Sequence, residues 1–452
     1  MSWSFLLRKE VGMHTKKHLC FSSLREGLSE AFEQIVDERQ AKKVSITLHD
    51  ALMSGFACMY FQDPSLLQFQ KRMQEDQHRN NLNTLFAVQE IPKETQMREI
   101  IDGISSNYFR RIFQDFYLRL QRGKHLEQYQ VFKNLYYFPM DGSEFFSSKE
   151  VHCEQCLSKE HKEGEKTYSH QVLQGGIMHP RCSEVIPFMP EQISNSDGTT
   201  KQDCEMNAAK RMITKVREAF PQLGLIMGGD ALFSKQPIIK DVLALRMHYL
   251  FAAKPTDHKY MMEWLEAYPE LNQTHFTDDK AREHHYEWMT EVPLTGEKDS
   301  LIVNFLRCTI RGKNKSGEED VLYRNSWVTD FSVSKENIKT LVETGRCRWK
   351  NENECFNVMK NHGYYMEHNY GHGKKNLAFN FYLLTLLAFF FHQIFELTDK
   401  QYQACREKFG SKKHLWEKLR AWIDIIIFET WEQLLAFALA PKTGLLQWAQ
   451  AP

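Results

Sequence analysis

Apolar residues recur at three- and four-residue steps near the start of the chain. Leu24, Leu28, Phe32 and Ile35 share one helical face. Residues 1–128 read as an all-helical region, punctuated at Asp63-Pro64 and Ile91-Pro92. From about residue 129 the pattern turns to β. Val131–Met140, Tyr168–His179 and Glu184–Met189 read as three strands, the last two joined by a turn at Pro180. Pro139 removes a ladder donor, so the first strand is expected to end there. Asn207–Phe220 is an amphipathic helix closed by Pro221, and Leu223–Met227 is a short buried strand. Ile238–Leu250 reads as a helix and Leu250–Ala253 as a strand. Three strands, helix, strand, helix, strand predicts a ribonuclease H-like α/β fold, a mixed sheet flanked by helices.

Residues 258–336 interrupt that domain. Glu291–Leu294, Leu301–Ile310, Val321–Tyr323 and Ser326–Phe331 predict a β-rich insertion, with Gly312–Asp320 as a polar hairpin tip. Helices resume at Glu336 and run to Ala438, broken by a loop at His362–Lys375. The division is a helical region (1–128), a first core part (129–257), the insertion (258–336), a second core part (337–400) and C-terminal helices (401–452). Leu377–Phe395 imitates a membrane span, but Asn380, His392 and Gln393 interrupt it, so it reads as a buried helix. No membrane partner is expected.

The length, 452 residues, allows two to four domains, and the apolar share, 42%, supplies their cores. Formal net charge is zero, so any nucleic-acid surface must come from local basic clusters. Such clusters are Arg110, Arg111, Arg119, Arg122 and Lys124; Lys210, Arg211, Lys215 and Arg217; and Arg311, Lys313 and Lys315. The plain alternative for each is a solvated helix face or loop. Ten scattered cysteines suit a reducing compartment rather than a disulfide framework. Met1–Leu7 is too short for a signal peptide's apolar core.

Three carboxylates carry the candidate chemistry. Asp141 follows the run Leu135–Met140, Asp230 follows Leu223–Gly229, and Glu352 lies on an expected helix. Together they make a hard, all-oxygen set suited to two Mg²⁺ or Mn²⁺ ions and phosphoryl chemistry. Taken singly, each aspartate is as readily a turn former. Glu352 is as readily the surface partner of Arg348, one turn back. Glu354 is its rival for the catalytic role. Cys153-x2-Cys156 is a knuckle for a structural Zn²⁺, with His161 as third ligand and His170 or His179 as fourth. The loop around His368, His372, Lys374 and Lys375 mixes glycines, rings and cations in a way that suits a nucleic-acid backbone. A second metal site through His368 and His372 is the other reading of that loop.

These blocks resemble the DDE transposases of bacterial insertion sequences, in the branch with a Tyr–Arg–Glu–Lys signature. The resemblance rests on Asp141-Gly142 with Phe145–Ser148, on Gly228–Ala231, on Ala252–Pro255, and on Trp327–Asp330 followed by Arg346–Glu352. It covers most of the chain. It implies that Asp141, Asp230 and Glu352 form the metal-binding triad and that Arg348 is the signature arginine. Gly345 stands where the signature tyrosine would be, and Lys360 falls one place late. The resemblance further implies cutting of transposon ends and joining to target DNA, with the 1–128 helices as the DNA-binding region that recognises those ends and Arg348 and Lys360 on phosphates. A homodimer on double-stranded DNA and a location at the bacterial nucleoid in the cytoplasm are expected with it. A metal-dependent nuclease of the same fold, or a non-catalytic DNA-binding derivative, are the alternatives.

Overall fold

The structure, a computed structural model, describes residues 17–440 apart from 41, 43, 75–79, 163, 196–201 and 269. Met1–Leu7 and the last twelve residues of the 401–452 region lie outside them. Internal contacts divide the chain into two units. One comprises Met1–Glu127, Glu144–Gln171 and Cys355–Pro452; the other comprises Gln128–Ser143 and Val172–Glu354.

Among its described residues, the first unit has near its start the α-helices α1 (Phe21–Glu33), α2 (Leu48–Tyr60), α3 (Leu66–Gln74), α4 (Asn81–Phe86), α5 (Glu94–Asp102) and α6 (Tyr108–Arg122). α1 buries Leu24, Leu28 and Phe32, as their spacing requires. α2 is apolar on nearly every face and is buried along its length, with Thr47 capping it through the Asp50 N–H.

Among the described residues twelve strands follow: β1 (Gln130–Phe132), β2 (Leu135–Ser148), β3 (Leu157–Glu160), β4 (Lys166–Ile177), β5 (Ile186–Pro187), β6 (Glu191–Ile193), β7 (Gly224–Gly229), β8 (His248–Ala252), β9 (Asn272–Thr277), β10 (Glu283–Pro293), β11 (Ile302–Lys313) and β12 (Glu319–Thr329). Between them lie α7 (Glu205–Ala219), α8 (Gln236–Ala244) and α9 (Lys259–Ala267), and α10 (Ile338–Arg346) comes after. They form one mixed sheet in the order β3-β4-β2-β7-β8-β12-β11-β10-β9, with β1 on β2 and with β5 and β6 on β4. β7 runs parallel to β2 on one side and to β8 on the other. Its residues from Leu225 on are all buried, as expected of a strand covered on both faces. The run β6-β4-β2-β7-β8, with its last three members parallel, is the ribonuclease H-like order.

Several boundaries differ from expectation for local reasons. β2 does not end at Pro139 but continues to Ser148. Pro139 opposite Gly228 is the last pair that β2 makes with β7, so the missing N–H falls where that ladder stops. The third strand is split into β5 and β6, and Pro187 and Pro190 flank the break. The helix expected to reach Leu250 stops at Ala244, and Arg246 takes a positive φ of 54° before β8 begins. The insertion continues the core sheet, because Trp327, Val328 and Thr329 of β12 pair antiparallel with Ala252, Phe251 and Leu250 of β8. β9 and the first half of β10 were not anticipated. In β10 the buried His284, Tyr286 and Trp288 alternate with polar residues, which hides the strand in a composition reading.

The chain closes with α11 (Asn357–Asn361), α12 (Leu377–Thr398), α13 (Lys400–Phe409), α14 (Lys412–Ile423) and α15 (Trp431–Leu439), all in the first unit. α12 is the apolar helix that could span a membrane by length, and 94% of its most apolar window is buried. Phe391 and Phe395 pack there against rings of α1, α2 and α15, including Phe21, Phe56 and Trp431. Its polar residues have partners. Asn380 Nδ2 donates to the carbonyls of Ile101 and Ile104, and His392 Nδ1 shares a 2.6 Å hydrogen bond with the Tyr364 hydroxyl.

Candidate active site

Asp141 and Asp230 owe their juxtaposition to strand register. Pro139 of β2 pairs with Gly228 of β7, and each aspartate lies two residues further on. Both therefore lie just beyond the last β2–β7 pair, at the same end of two neighbouring parallel strands. Gly228 leaves room for this arrangement, since a Cβ there would come within 2.3 Å of the Tyr137 hydroxyl. Asp230 also accepts the Leu232 N–H at 2.9 Å, so one oxygen shapes the turn after β7. Asp141 sits within a strand rather than in a turn.

Glu352 belongs to a single π-helical turn, Asn351–Phe356, a form enriched at functional sites. Asn351 begins that turn and is fully buried. Its Nδ2 donates to the carbonyls of Pro139 (3.1 Å) and Gln174 (3.3 Å), fastening the turn to β2 two residues before Asp141. Lys350, also buried, donates to the Cys182 carbonyl. Glu352 itself stays exposed. Neither Asn351 nor Lys350 stood out in the sequence, because the carbonyls they bind lie far away along the chain.

The electrostatics join these groups. Burial pushes the Asp141 carboxyl up to about 6; Arg348 opposes the rise, and the charges of Asp230 and Glu352 add to it. Glu352 is thus among the charges acting on Asp141. Arg348 Nη1 lies 2.6 Å from Asp141 Oδ2, so the arginine pairs with the aspartate rather than with Glu352. Glu205, in the first turn of α7, is a fourth carboxylate here: burial, then Asp230 and Asp141, raise it above its ordinary range. A Cβ at Gly142 would meet Glu205 Oε1 at 2.3 Å, so Asp141-Gly142 is the pairing that admits it. The set is all oxygen and suits a hard divalent cation. Among the described residues, these carboxylates do not form a group whose ligand oxygens all lie within 4.8 Å of one another.

Gly345 is a glycine for a steric reason. A Cβ on Gly345 would sit 2.5 Å from the Trp327 indole nitrogen, so β12 and α10 approach too closely for any side chain. Much of the Lys210–Arg217 cluster is used internally. Arg211 pairs with Asp203 (2.6 Å) and Lys215 with Glu191 (2.7 Å). Arg217 donates to five main-chain carbonyls, those of Phe220, Pro221, Leu223, Leu245 and Arg246. Arg119 is likewise held, by Asp115 and by the carbonyls of His18 and Ser23.

In the first unit, Lys360 pairs with Glu367 at 3.2 Å. His368 is exposed, with its ring near Tyr370. The Lys374 and Lys375 side chains are exposed, while their backbone N–H groups, with those of Asn376 and Leu377, all donate to the Asp102 carboxylate. Asp102 thereby satisfies the amino end of α12. Cys153 and Cys156 converge with His170 and His372, all four ligand atoms lying within 4.8 Å of one another. This donor set can hold a metal ion. A hydrogen bond from Cys156, then those from His170 and His372, draws the Cys153 thiol toward thiolate. His161 is outside the group, exposed and bonded to Thr167 Oγ1 at 2.8 Å, and His179 lies beside Cys182.

No family model matches the chain, and no curated protein sequence matches it. Among solved structures, the piggyBac transposase synaptic complex with hairpin DNA aligns with 96% of this chain and 81% of its own, at 10% identity and a TM-score of 0.38. A superposition that loose decides nothing about the chemistry of this chain.

Proposed function

We propose that this chain is a DNA transposase, cutting element ends and joining them to target DNA at the acidic face of Asp141, Asp230 and Glu352. The supporting observation is that Asp141 and Asp230 each lie two residues beyond the last pair of two adjacent parallel strands, with the Glu352 charge acting on Asp141. In this reading the three carboxylates hold Mg²⁺ or Mn²⁺. Such ions, when bound, stabilise charge on phosphoryl oxygens and lower the pKa of water. Asn351 fixes the turn that presents Glu352. Arg348, whose side chain keeps 33% of its exposure, neutralises Asp141 and offers its remaining nitrogens to a phosphate. Lys360, His368, Lys374 and Lys375 are the further DNA contacts, and pairing two ends calls for a homodimer.

The test uses duplexes cut from the DNA flanking the gene, incubated with purified protein and Mg²⁺. Cleaved ends joined to a second duplex are expected. Cleavage without joining would make the chain a nuclease of the same fold. Unchanged processing by Asp141→Ala would remove the enzymatic claim altogether.

A further inference from the structure

We infer that Cys153, Cys156, His170 and His372 bind one Zn²⁺, and that this ion pins the loop 362–376 to the β3–β4 hairpin. The inference does not depend on the chain's being a transposase.

The distances fit a tetrahedron. With Zn–S of about 2.3 Å and Zn–N of about 2.05 Å, its edges are about 3.8 Å (S–S), 3.6 Å (S–N) and 3.3 Å (N–N). The observed separations are 3.8 Å for Cys153 Sγ–Cys156 Sγ and 3.4 Å from each sulfur to His170 Nε2. Cys156 Sγ lies 3.9 Å and His170 Nε2 lies 3.1 Å from His372 Nδ1. The sulfur separation is nearly twice a disulfide bond, so the two thiols are not cross-linked.

The surroundings are those of a buried structural site. Cys156 and His170 are 4% and 1% exposed. The Cys153–Cys156 turn closes through Cys156 N–H to the Cys153 carbonyl, and the Cys153 N–H points at Cys156 Sγ at 3.4 Å. The imidazoles are oriented by aromatic packing. Phe145 stacks on His170, and the Phe146 ring stands edge-on to His372 with centroids 4.2 Å apart. The outer nitrogens, His170 Nδ1 and His372 Nε2, are buried without hydrogen-bond partners, so packing does the orienting that hydrogen bonds usually do around metal-bound histidines. Four protein ligands complete the coordination shell, which marks the site as structural rather than catalytic.

The location gives the ion its role. Three ligands come from the knuckle and β4, and the fourth lies 202 residues beyond His170. The metal therefore closes a very long chain loop. A second tie at the same place, from Gln155 Nε2 to the Lys375 carbonyl, shows that the knuckle and the loop are seated together.

The full-length protein, purified without added metal and without chelator, should contain one zinc per chain by elemental analysis. After exchange, Co²⁺ should give the intense visible bands of tetrahedral cobalt with a thiolate charge-transfer band. His372→Ala should weaken Co²⁺ binding by a hundredfold or more, while His161→Ala should leave it unchanged. Chelation should open residues 362–376 to limited proteolysis. Absence of zinc together with absence of a tetrahedral cobalt spectrum in the wild type would overturn the proposal, and that reading holds even where cysteine variants fail to fold. Loss of the metal in His161→Ala with retention in His372→Ala would overturn the ligand assignment.

Discussion

Asn351→Ala tests whether the active-site turn is held from β2. The wild-type amide is fully buried and donates to two carbonyls. Each such bond contributes about 0.5–1.5 kcal/mol net, and each carbonyl left unpaired in the interior costs about 1–3 kcal/mol. Its removal should therefore destabilise the second unit by about 3 kcal/mol. For a domain of this size that is a fall in Tm of about 6–12 °C. Function should suffer more than stability accounts for. Cleavage, assayed well below the new Tm, should fall at least tenfold while duplex affinity stays within about twofold. Asn351→Asp should be worse still, because a carboxylate would face the same two carbonyls. Wild-type cleavage by a folded Asn351→Ala protein would refute the positioning argument, as would an unchanged Tm.

Asp141→Asn should stabilise the metal-free protein at pH 7. The folded-state value of about 6 lies above the unfolded value of about 3.9, so this carboxyl's contribution is intact below pH 4 and is lost as pH rises through 6. The gap between those two values sets an upper limit of about 3 kcal/mol on the gain, reduced by the lost Arg348 pair; chelated urea titrations at pH 4 and 7 should show the gain only at pH 7. Gly345→Ala should lower Tm, because contact with Trp327 costs about 1–3 kcal/mol while the helix gains no more than about 1 kcal/mol; an unchanged or higher Tm would contradict the steric account. Asp102→Ala should cost about 1–2 kcal/mol and speed amide exchange in residues 374–377, where protection equal to wild type would show that the cap does not matter. Arg348→Ala should reduce the salt slope of duplex binding by about one unit, and an unaltered slope would remove Arg348 from the phosphate contacts.

The core was legible where burial and period coincide. The apolar runs before Asp141 and Asp230 are strands covered by neighbours on both sides, and such strands announce themselves without reference to distant residues. The helical face of α1 and the buried character of α12 are of the same kind. What stayed hidden depends on partners far along the chain. Asn351 is unremarkable until the Pro139 and Gln174 carbonyls are seen above it. His170 and His372 join the Cys153–Cys156 knuckle from a strand and from a loop, whereas His161 looked nearer only in sequence. Glu205 reads as an ordinary first-turn acid and is recognisable only through its effect beside Asp141 and Asp230. Charge was misleading in the opposite sense. Arg211, Lys215 and Arg217 resembled a phosphate-binding face, yet they satisfy buried acids and carbonyls of their own unit.

The most direct measurement is the anomalous scattering of Mn²⁺ in crystals of the protein bound to a short duplex from the gene's flank. The account predicts manganese coordinated by Asp141 and Asp230, with Glu352 completing the site and the scissile phosphate alongside. Manganese absent from these carboxylates at saturating concentration, with the duplex bound elsewhere, would contradict it.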